Sequence, residues 1–372
     1  MLHELREMGI EGGEPGYLGV TASLTQEEAY RVVYGSRLAS RLLRTLATFS
    51  CYDDNELYDK ASRFNWKALI RPGQTFKINA TVSDSGITHS QYAMLRLKDA
   101  VVDSLRDESG TRPDVDRDNP DIRIDLFLRQ DQATLSLYYS DGVLHRRGYR
   151  KQAVEAPIKE NLAAAMLRFA GWKGQKPLHD FFCGSGTILL EAAMLASNTP
   201  AGFFRERQGF ENLPDFSQEA WDKVKTEMDS KIVPLPSDLL FGYDIDSKSV
   251  NAARINFQGT PFAASARITQ GDFAKLEGEF ADGFVITNPP YGVRLGDSES
   301  EALRKLYESF GRFLKTHCPG AKVCVLIPEE RFEREIWFKP EKRLFLDNGA
   351  LEVCACLYKI LEKRAPRDDR AS

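Results

Sequence analysis

From Pro157 to Ile327 short apolar runs alternate with amphipathic ones, and this alternation constrains the fold more than any other feature of the chain. The pattern predicts a helix over Ile158–Phe169, a strand over Pro177–Phe182, a glycine turn and a helix over Thr187–Ala196. It then predicts a strand over Leu239–Tyr243, a helix over Ser247–Phe257, and strands over Ala266–Gln270 and Gly283–Thr287. A helix over Ser300–Thr316 and a strand over Ala321–Ile327 complete the series. Strands alternating with helices imply a parallel, doubly wound sheet. The last part breaks the rhythm. Lys342–Leu346 and Leu351–Ile360 flank Asp347-Asn348-Gly349, and Asn-Gly between alternating apolar runs signals a hairpin. The parallel sheet should therefore finish antiparallel.

Before residue 155 the style differs. Strand-like runs at Thr75–Val82, Ile122–Leu128 and Ala133–Tyr139 surround a helical stretch at Tyr92–Leu105, without a glycine-rich phosphate loop, as in a small α+β domain. Residues 201–235 are aromatic and polar, with one predicted helix over Gln218–Ser230, and read as an insertion in the second part. The tail from Lys363 to Ser372 is charged and expected to be disordered.

Charge excludes one mode of action. Residues 1–150 carry 20 Lys and Arg against 22 Asp and Glu, and the remainder carries 30 against 32. A protein that binds nucleic acid by bulk charge is basic, so any RNA or DNA must be met by a local patch. The run His145 to Lys151, with Arg146, Arg147, Arg150 and Lys151 and no acid, is the candidate; the plainer reading is solvated surface. The six cysteines lack C-x-x-C or disulfide-framework spacing, and there are only five histidines, so a reduced cytoplasmic protein without a zinc site is expected. No apolar run is long enough for a membrane span, and the first residues are charged rather than leader-like.

Three motifs carry chemistry. Asp180-Phe181-Phe182-Cys183-Gly184-Ser185-Gly186-Thr187 is a strand end, a glycine turn and a helix start, where a ligand can approach the backbone. The dinucleotide fingerprint wants glycine at 189, where this chain has leucine, so a nicotinamide oxidoreductase is disfavoured. Asp244 and Asp246 follow the second strand, where a carboxylate can accept ribose hydroxyls, and Asp272 follows the third, where one can receive an adenine amino group. Singly, each acid reads equally as a helix N-cap. Together with the loop they describe one nucleoside pocket. Asn288-Pro289-Pro290-Tyr291 ends the fourth strand, and two prolines force the chain out of the sheet. The asparagine oxygen and a neighbouring backbone carbonyl make an acceptor pair for one exocyclic amine, and Tyr291 offers a face for a purine. An arylamine is a weak nucleophile whose lone pair such acceptors help to localise, and no strong base is required. A bare proline turn is the alternative.

With Pro157-Ile158-Lys159-Glu160-Asn161-Leu162-Ala163-Ala164, these motifs resemble the bacterial THUMP-domain-containing 23S rRNA guanine-N2 methyltransferases, within the class I S-adenosylmethionine-dependent enzymes. Ser36-Arg37-Leu38-Ala39-Ser40-Arg41, Arg112 to Asp118, Pro120-Asp121-Ile122-Arg123 and His145 to Arg150 resemble the THUMP module, and the likeness covers about residues 1–360. The resemblance implies an α/β architecture: an N-terminal ferredoxin-like region over 1–58, a THUMP RNA-binding domain over 59–152, and a Rossmann-like methyltransferase sheet over 153–362 ending in an antiparallel hairpin. It implies S-adenosyl-L-methionine held by Lys159, Asp180, Cys183, Gly184, Ser185, Gly186, Asp244 or Asp246, and Asp272, with Asn288, Pro289 and Tyr291 on a flipped-out guanine. RNA is the implied partner, met at Arg146, Arg147, Arg150 and Lys151, with no metal and no membrane.

Three departures stand out. Family members often have a strand before the first helix that is missing here, which leaves open whether the ferredoxin-like piece is complete. Phe181-Phe182 replaces the family's usual Pro-Met-like pair. Some members carry a second methyltransferase fused C-terminally, which from the length of this sequence is not expected here. A tRNA guanine-N2 enzyme shares every motif. An adenine-N6 DNA methyltransferase shares Asn-Pro-Pro-Tyr but gives no role to the THUMP-like part, and a non-catalytic RNA-binding protein would not need that motif.

Overall fold

A computed structural model describes residues 1–362 except 18, 110–114, 117, 155–156, 292–296, 329 and 349–350. Residues 112–114 and 117 of the THUMP-like motif, Gly292, Gly349 and the tail from 363 lie outside the described residues. The chain folds as two units: Met1–Leu144 with Arg205–Met228, and His145–Phe204 with Asp229–Ser372.

The first unit is built on a four-stranded mixed sheet in the order Leu43–Ser50, Gln132–Tyr138, Ile122–Arg129, Phe76–Ser83. The first three strands pair antiparallel, and the last two run parallel. A parallel pair needs a crossover, and the helix Ser90–Ser109 supplies it. Ala93, Leu97, Ala100 and Val101 of that helix recur at helical spacing and are buried, as are Ile78, Ile124, Leu126 and Leu128 of the strands. The helix Asp54–Ser62 starts at Asp53, whose carboxylate accepts from Glu56 N–H. A boundary at 58 therefore falls inside a helix, and the strand before it belongs to the same sheet as those after it.

The larger correction concerns the insertion. Residues 205–228, expected in the methyltransferase part, fold with the first unit. Trp221 of the helix Gln218–Asp229 meets Tyr34 and Phe210 edge-on with ring centroids 5.1 Å apart, and Tyr30 lies 4.1 Å from Phe210. The aromatic composition that marked an insertion is the composition of this shared core.

In the second unit, α1 (Glu160–Ala170) precedes β1 (Leu178–Asp180), α2 (Thr187–Ala196), β2 (Leu240–Asp244), α3 (Ser247–Gln258), β3 (Ala266–Gln270) and β4 (Phe284–Thr287). Then come α4 (Asp297–His317), β5 (Lys322–Ile327), α5 (Glu330–Glu335), β6 (Lys342–Asn348) and β7 (Leu351–Lys359). The sheet order is β6-β7-β5-β4-β1-β2-β3, with β7 antiparallel to both of its neighbours. Strand side chains alternate between two cores. Cys324 and Leu326 of β5 join α1, α2 and α3 residues, whereas Val323, Val325 and Ile327 join Tyr307, Phe310 and Leu314 of α4. The chain runs outward from β1 to β3 and then returns to place β4 on the other side of β1. Strand order reverses between β1 and β4, and an open α/β sheet binds ligands beyond the carboxyl ends of its strands at such a point.

Candidate active site

Asp180 ends β1 and is 1% exposed. Its two oxygens are used unequally. Oδ1 accepts from the Thr287 hydroxyl (2.6 Å) and from Phe182 N–H (3.2 Å). Oδ2 has no hydrogen-bond partner among the described residues. Burial pushes this carboxyl up to about 7. A buried oxygen whose lone pairs meet no donor is costly unless a ligand supplies one. Thr287 ends β4 and Asn288 follows it, so Asp180 ties together the two strand ends that flank the switch point. Nothing in the sequence singles out Thr287, because threonine in a strand reads as an ordinary β-branched residue.

The loop after β1 is held by its own backbone. Cys183 N–H donates to Tyr243 O (2.9 Å), Gly184 N–H to Asp244 Oδ2 (2.9 Å) and Gly186 N–H to Cys183 O (2.8 Å). Gly186 has φ of +82°, and a Cβ there would lie 3.2 Å from Ala253 Cβ and 3.4 Å from the Phe257 ring. Both its conformation and its approach to α3 require glycine. Ser185 is buried, and its hydroxyl has no partner among the described residues. Burial raises the Cys183 thiol well above its ordinary range, so Cys183 is a packed wall and not a nucleophile.

The structure separates the two acids that follow β2. Asp244 is half-buried and accepts from Gly184 N–H and, through Oδ1, from Asp246 N–H (3.0 Å). Each oxygen keeps a lone pair for a further donor. Asp246 is exposed and caps α3, accepting from Lys248 N–H, Ser249 N–H and the Ser249 hydroxyl at 3.2, 3.0 and 2.9 Å. The bond from that hydroxyl leads in holding its carboxyl below the usual range. Asp272 caps the short turn Phe273–Lys275 through Ala274 N–H (3.0 Å) and is partly exposed. Lys159, also partly exposed, is the N-cap residue of α1.

Beyond β4, Asn288 is partly exposed, Pro289 buried and Pro290 exposed. The Tyr291 hydroxyl donates to Asn288 Oδ1 (2.5 Å) and is itself reached by Asn348 Nδ2 (3.5 Å). Burial raises the Tyr291 hydroxyl above its ordinary value, which keeps it a donor. Its ring packs against the core of α1, α2 and α3, so it is less open than the motif alone suggests. Asn288 Oδ1 is thus already engaged on one side, and a further donor would have to use its second lone pair or displace Tyr291.

The basic run is corrected by its burial. Arg147 is 1% exposed, and its guanidinium bonds Glu191 through Nε at 3.1 Å, with Tyr149 OH on the same oxygen at 3.2 Å. It cannot meet a phosphate from there. Arg150 Nη2 donates to Ile158 O and Thr187 Oγ1 and forms an ion pair with Glu160 Oε1, each at 3.0 Å. The helices α1 and α2 use these two arginines, and only Arg146 and Lys151 stay exposed.

Two buried polar atoms without partners, Asp180 Oδ2 and Ser185 Oγ, and a glycine loop below a half-buried acid fit the amino-acid and ribose parts of S-adenosylmethionine. Among the described residues no cluster of His, Cys, Asp and Glu could hold a metal ion, and no helix is long and apolar enough to cross a membrane. The sheet order, its antiparallel finish and the loop and acids at the switch point define a class I methyltransferase fold. The RMKL-like methyltransferase domain matches residues 147–343, and a THUMP domain matches residues 51–138. The chain belongs to the RMKL-like methyltransferase family.

The ribosomal RNA large subunit methyltransferase K/L of Vibrio parahaemolyticus is 36% identical over 98% of the chain. The chain spans about half the length of such curated relatives, 52% in that case. Among solved structures, SMU.472 complexed with SAH superposes with a TM-score of 0.85 at 27% identity, covering 98% of this chain and 94% of that one. A Listeria monocytogenes protein named a predicted N6-adenine-specific DNA methylase superposes at 0.84 with 25% identity, over 97% and 92%.

Proposed function

We propose that this chain transfers a methyl group from S-adenosylmethionine to the exocyclic N2 of a guanine in RNA, with 23S ribosomal RNA as the substrate and the cytoplasm as the place. The observation that carries the reading is the bond from Thr287 to Asp180 Oδ1, which sets Asn288 next to a buried carboxylate whose Oδ2 has no partner among the described residues. The cofactor supplies an electrophilic methyl on a sulfonium. Asp180 Oδ2 would receive its ammonium, Gly184, Ser185 and Gly186 would pass its methionine portion beside Cys183 and Lys159, Asp244 would hold the ribose and Asp272 the adenine. Asn288 Oδ1 and the Pro289 carbonyl would accept the two N–H bonds of the guanine amine, with Tyr291 against the base. These acceptors turn the nitrogen lone pair toward the methyl, so positioning does most of the work. The reaction calls for no metal. RNA would be met through the THUMP domain, with Arg146 and Lys151 on phosphate.

The name of the Listeria neighbour favours a second reading, adenine-N6 methylation of DNA, because Asn-Pro-Pro-Tyr can grip any planar amine. The THUMP domain favours RNA. Nucleoside mass spectrometry of a deletion strain separates the two. N2-methylguanosine should fall in 23S rRNA and be restored by the wild-type gene. Loss from tRNA instead, or loss of N6-methyladenine from DNA with N2-methylguanosine intact, contradicts the proposal.

A further inference from the structure

We propose that Asn256 is a positioning residue for the glycine loop, and that the segment Arg150–Gln152 is the strap through which it works. Asn256 sits on α3 and is 1% exposed. Its Oδ1 accepts from Lys151 N–H (2.8 Å) and Gln152 N–H (2.9 Å). Its Nδ2 donates to Gln152 O (2.8 Å) and Ser185 O (3.0 Å). All four of its hydrogen-bonding positions are filled, three by the strap and one by the loop. Replacing this amide by a group without both a donor and an acceptor leaves buried partners open.

The same face of α3 seats the loop from below. Ala253 and Phe257, three residues before and one after Asn256, are the groups against which Gly186 rests. At the strap's near end Arg150 bonds Thr187 Oγ1, the first residue of α2, together with Ile158 O and Glu160 Oε1 at the start of α1. The loop's carbonyl at 185 is therefore held by Asn256, and its exit at 187 by Arg150 of the segment that Asn256 also holds. That segment includes half of the basic run that the sequence offered to RNA. Its peptide groups meet Asn256 and the Arg150 guanidinium turns inward, while the Lys151 side chain stays exposed.

This inference rests on the cofactor reading above, since a held loop matters only if the loop binds. A loop whose Ser185 O is released from Asn256 samples other shapes, and affinity falls in proportion to the fraction of molecules still competent. Asn256→Asp keeps the two acceptor bonds but loses both donors and sets a carboxylate against two carbonyls. Calorimetry of the full chain with S-adenosylhomocysteine, beside thermal unfolding, reads the effect. Affinity of the folded variant should drop about 10- to 100-fold, the range for one buried group left unmatched. KM for S-adenosylmethionine should rise in step while kcat at saturation stays within about twofold. Should Asn256→Asp not fold, Arg150→Lys supplies the reading, because lysine keeps the charge but is one atom too short to place its nitrogen where Nη2 meets both Ile158 O and Thr187 Oγ1. Its affinity should fall about 3- to 10-fold. Folded variants that bind as tightly as wild type, with only the unfolding temperature lowered, overturn the inference. Wild-type protein that takes up no S-adenosylhomocysteine overturns the cofactor reading itself.

Discussion

Asp180 is where residue-scale chemistry is most sharply testable. Complete burial lifts its carboxyl to about 7, whereas a cationic amino group would favour the ionised form. Affinity for S-adenosylhomocysteine should therefore climb with pH and level off above about 7, with protons released on binding below that point. Stability runs the other way. The folded-state value is raised, so its contribution is full in acid and lost as pH rises through about 7. Asp180→Asn, which keeps the Oδ1 contacts, should bind weakly without that pH dependence and gain most in unfolding temperature over wild type on the alkaline side; an unaltered pH profile would remove Asp180 from the site. The arginines divide as sharply. Arg147→Ala leaves Glu191 charged in a dry core and should cost about 3–5 kcal/mol by chemical unfolding. Arg146→Ala with Lys151→Ala should cost little stability and flatten the salt dependence of RNA binding by about 1.4 units if both touch phosphate. From the sequence the four cations look alike. Side-chain direction along residues 145–151 separates them, and it depends on Glu160 and Glu191, 10 and 44 residues away from Arg150 and Arg147.

At the scale of elements, the parallel sheet and its antiparallel finish are legible because each strand and helix carries its own period, and the glycine loop and Asn-Pro-Pro-Tyr because they stand at strand ends. Leu43–Ser50 was not legible as a strand. It begins an antiparallel pair whose partner, Gln132–Tyr138, lies far along the chain, and the pairing breaks register between Thr45 and Ala47. Nor could composition say which unit the helix Gln218–Asp229 joins, since an aromatic face specifies burial and not a partner. Trp221→Ala tests the assignment. Removing this ring from between Tyr30, Tyr34 and Phe210 should destabilise the chain by about 3–5 kcal/mol and leave the affinity of the folded protein for S-adenosylhomocysteine unchanged. Weakened binding in the folded variant would mean that the helix serves the site.

For the whole molecule, the chain passes between the units three times, after Leu144, Phe204 and Met228. A cut at Ala153 would remove the strap that Asn256 of α3 holds, and a chain begun at His145 would still carry residues 205–228, which fold with the first unit. The net charge of −4 leaves little nonspecific attraction for a polyanion, so under the proposed function RNA would be recognised by shape and a few placed groups. The most direct test supplies S-adenosylmethionine with a deuterated methyl to the purified chain with a 23S rRNA transcript, bulk tRNA or duplex DNA, and identifies the labelled nucleoside by mass spectrometry. N2-methylguanosine labelled in 23S RNA alone is the predicted result, with Asn288→Ala slowing transfer about 10²- to 10³-fold while binding cofactor normally. Label in N6-methyladenine, in tRNA alone, or undiminished in Asn288→Ala would contradict it.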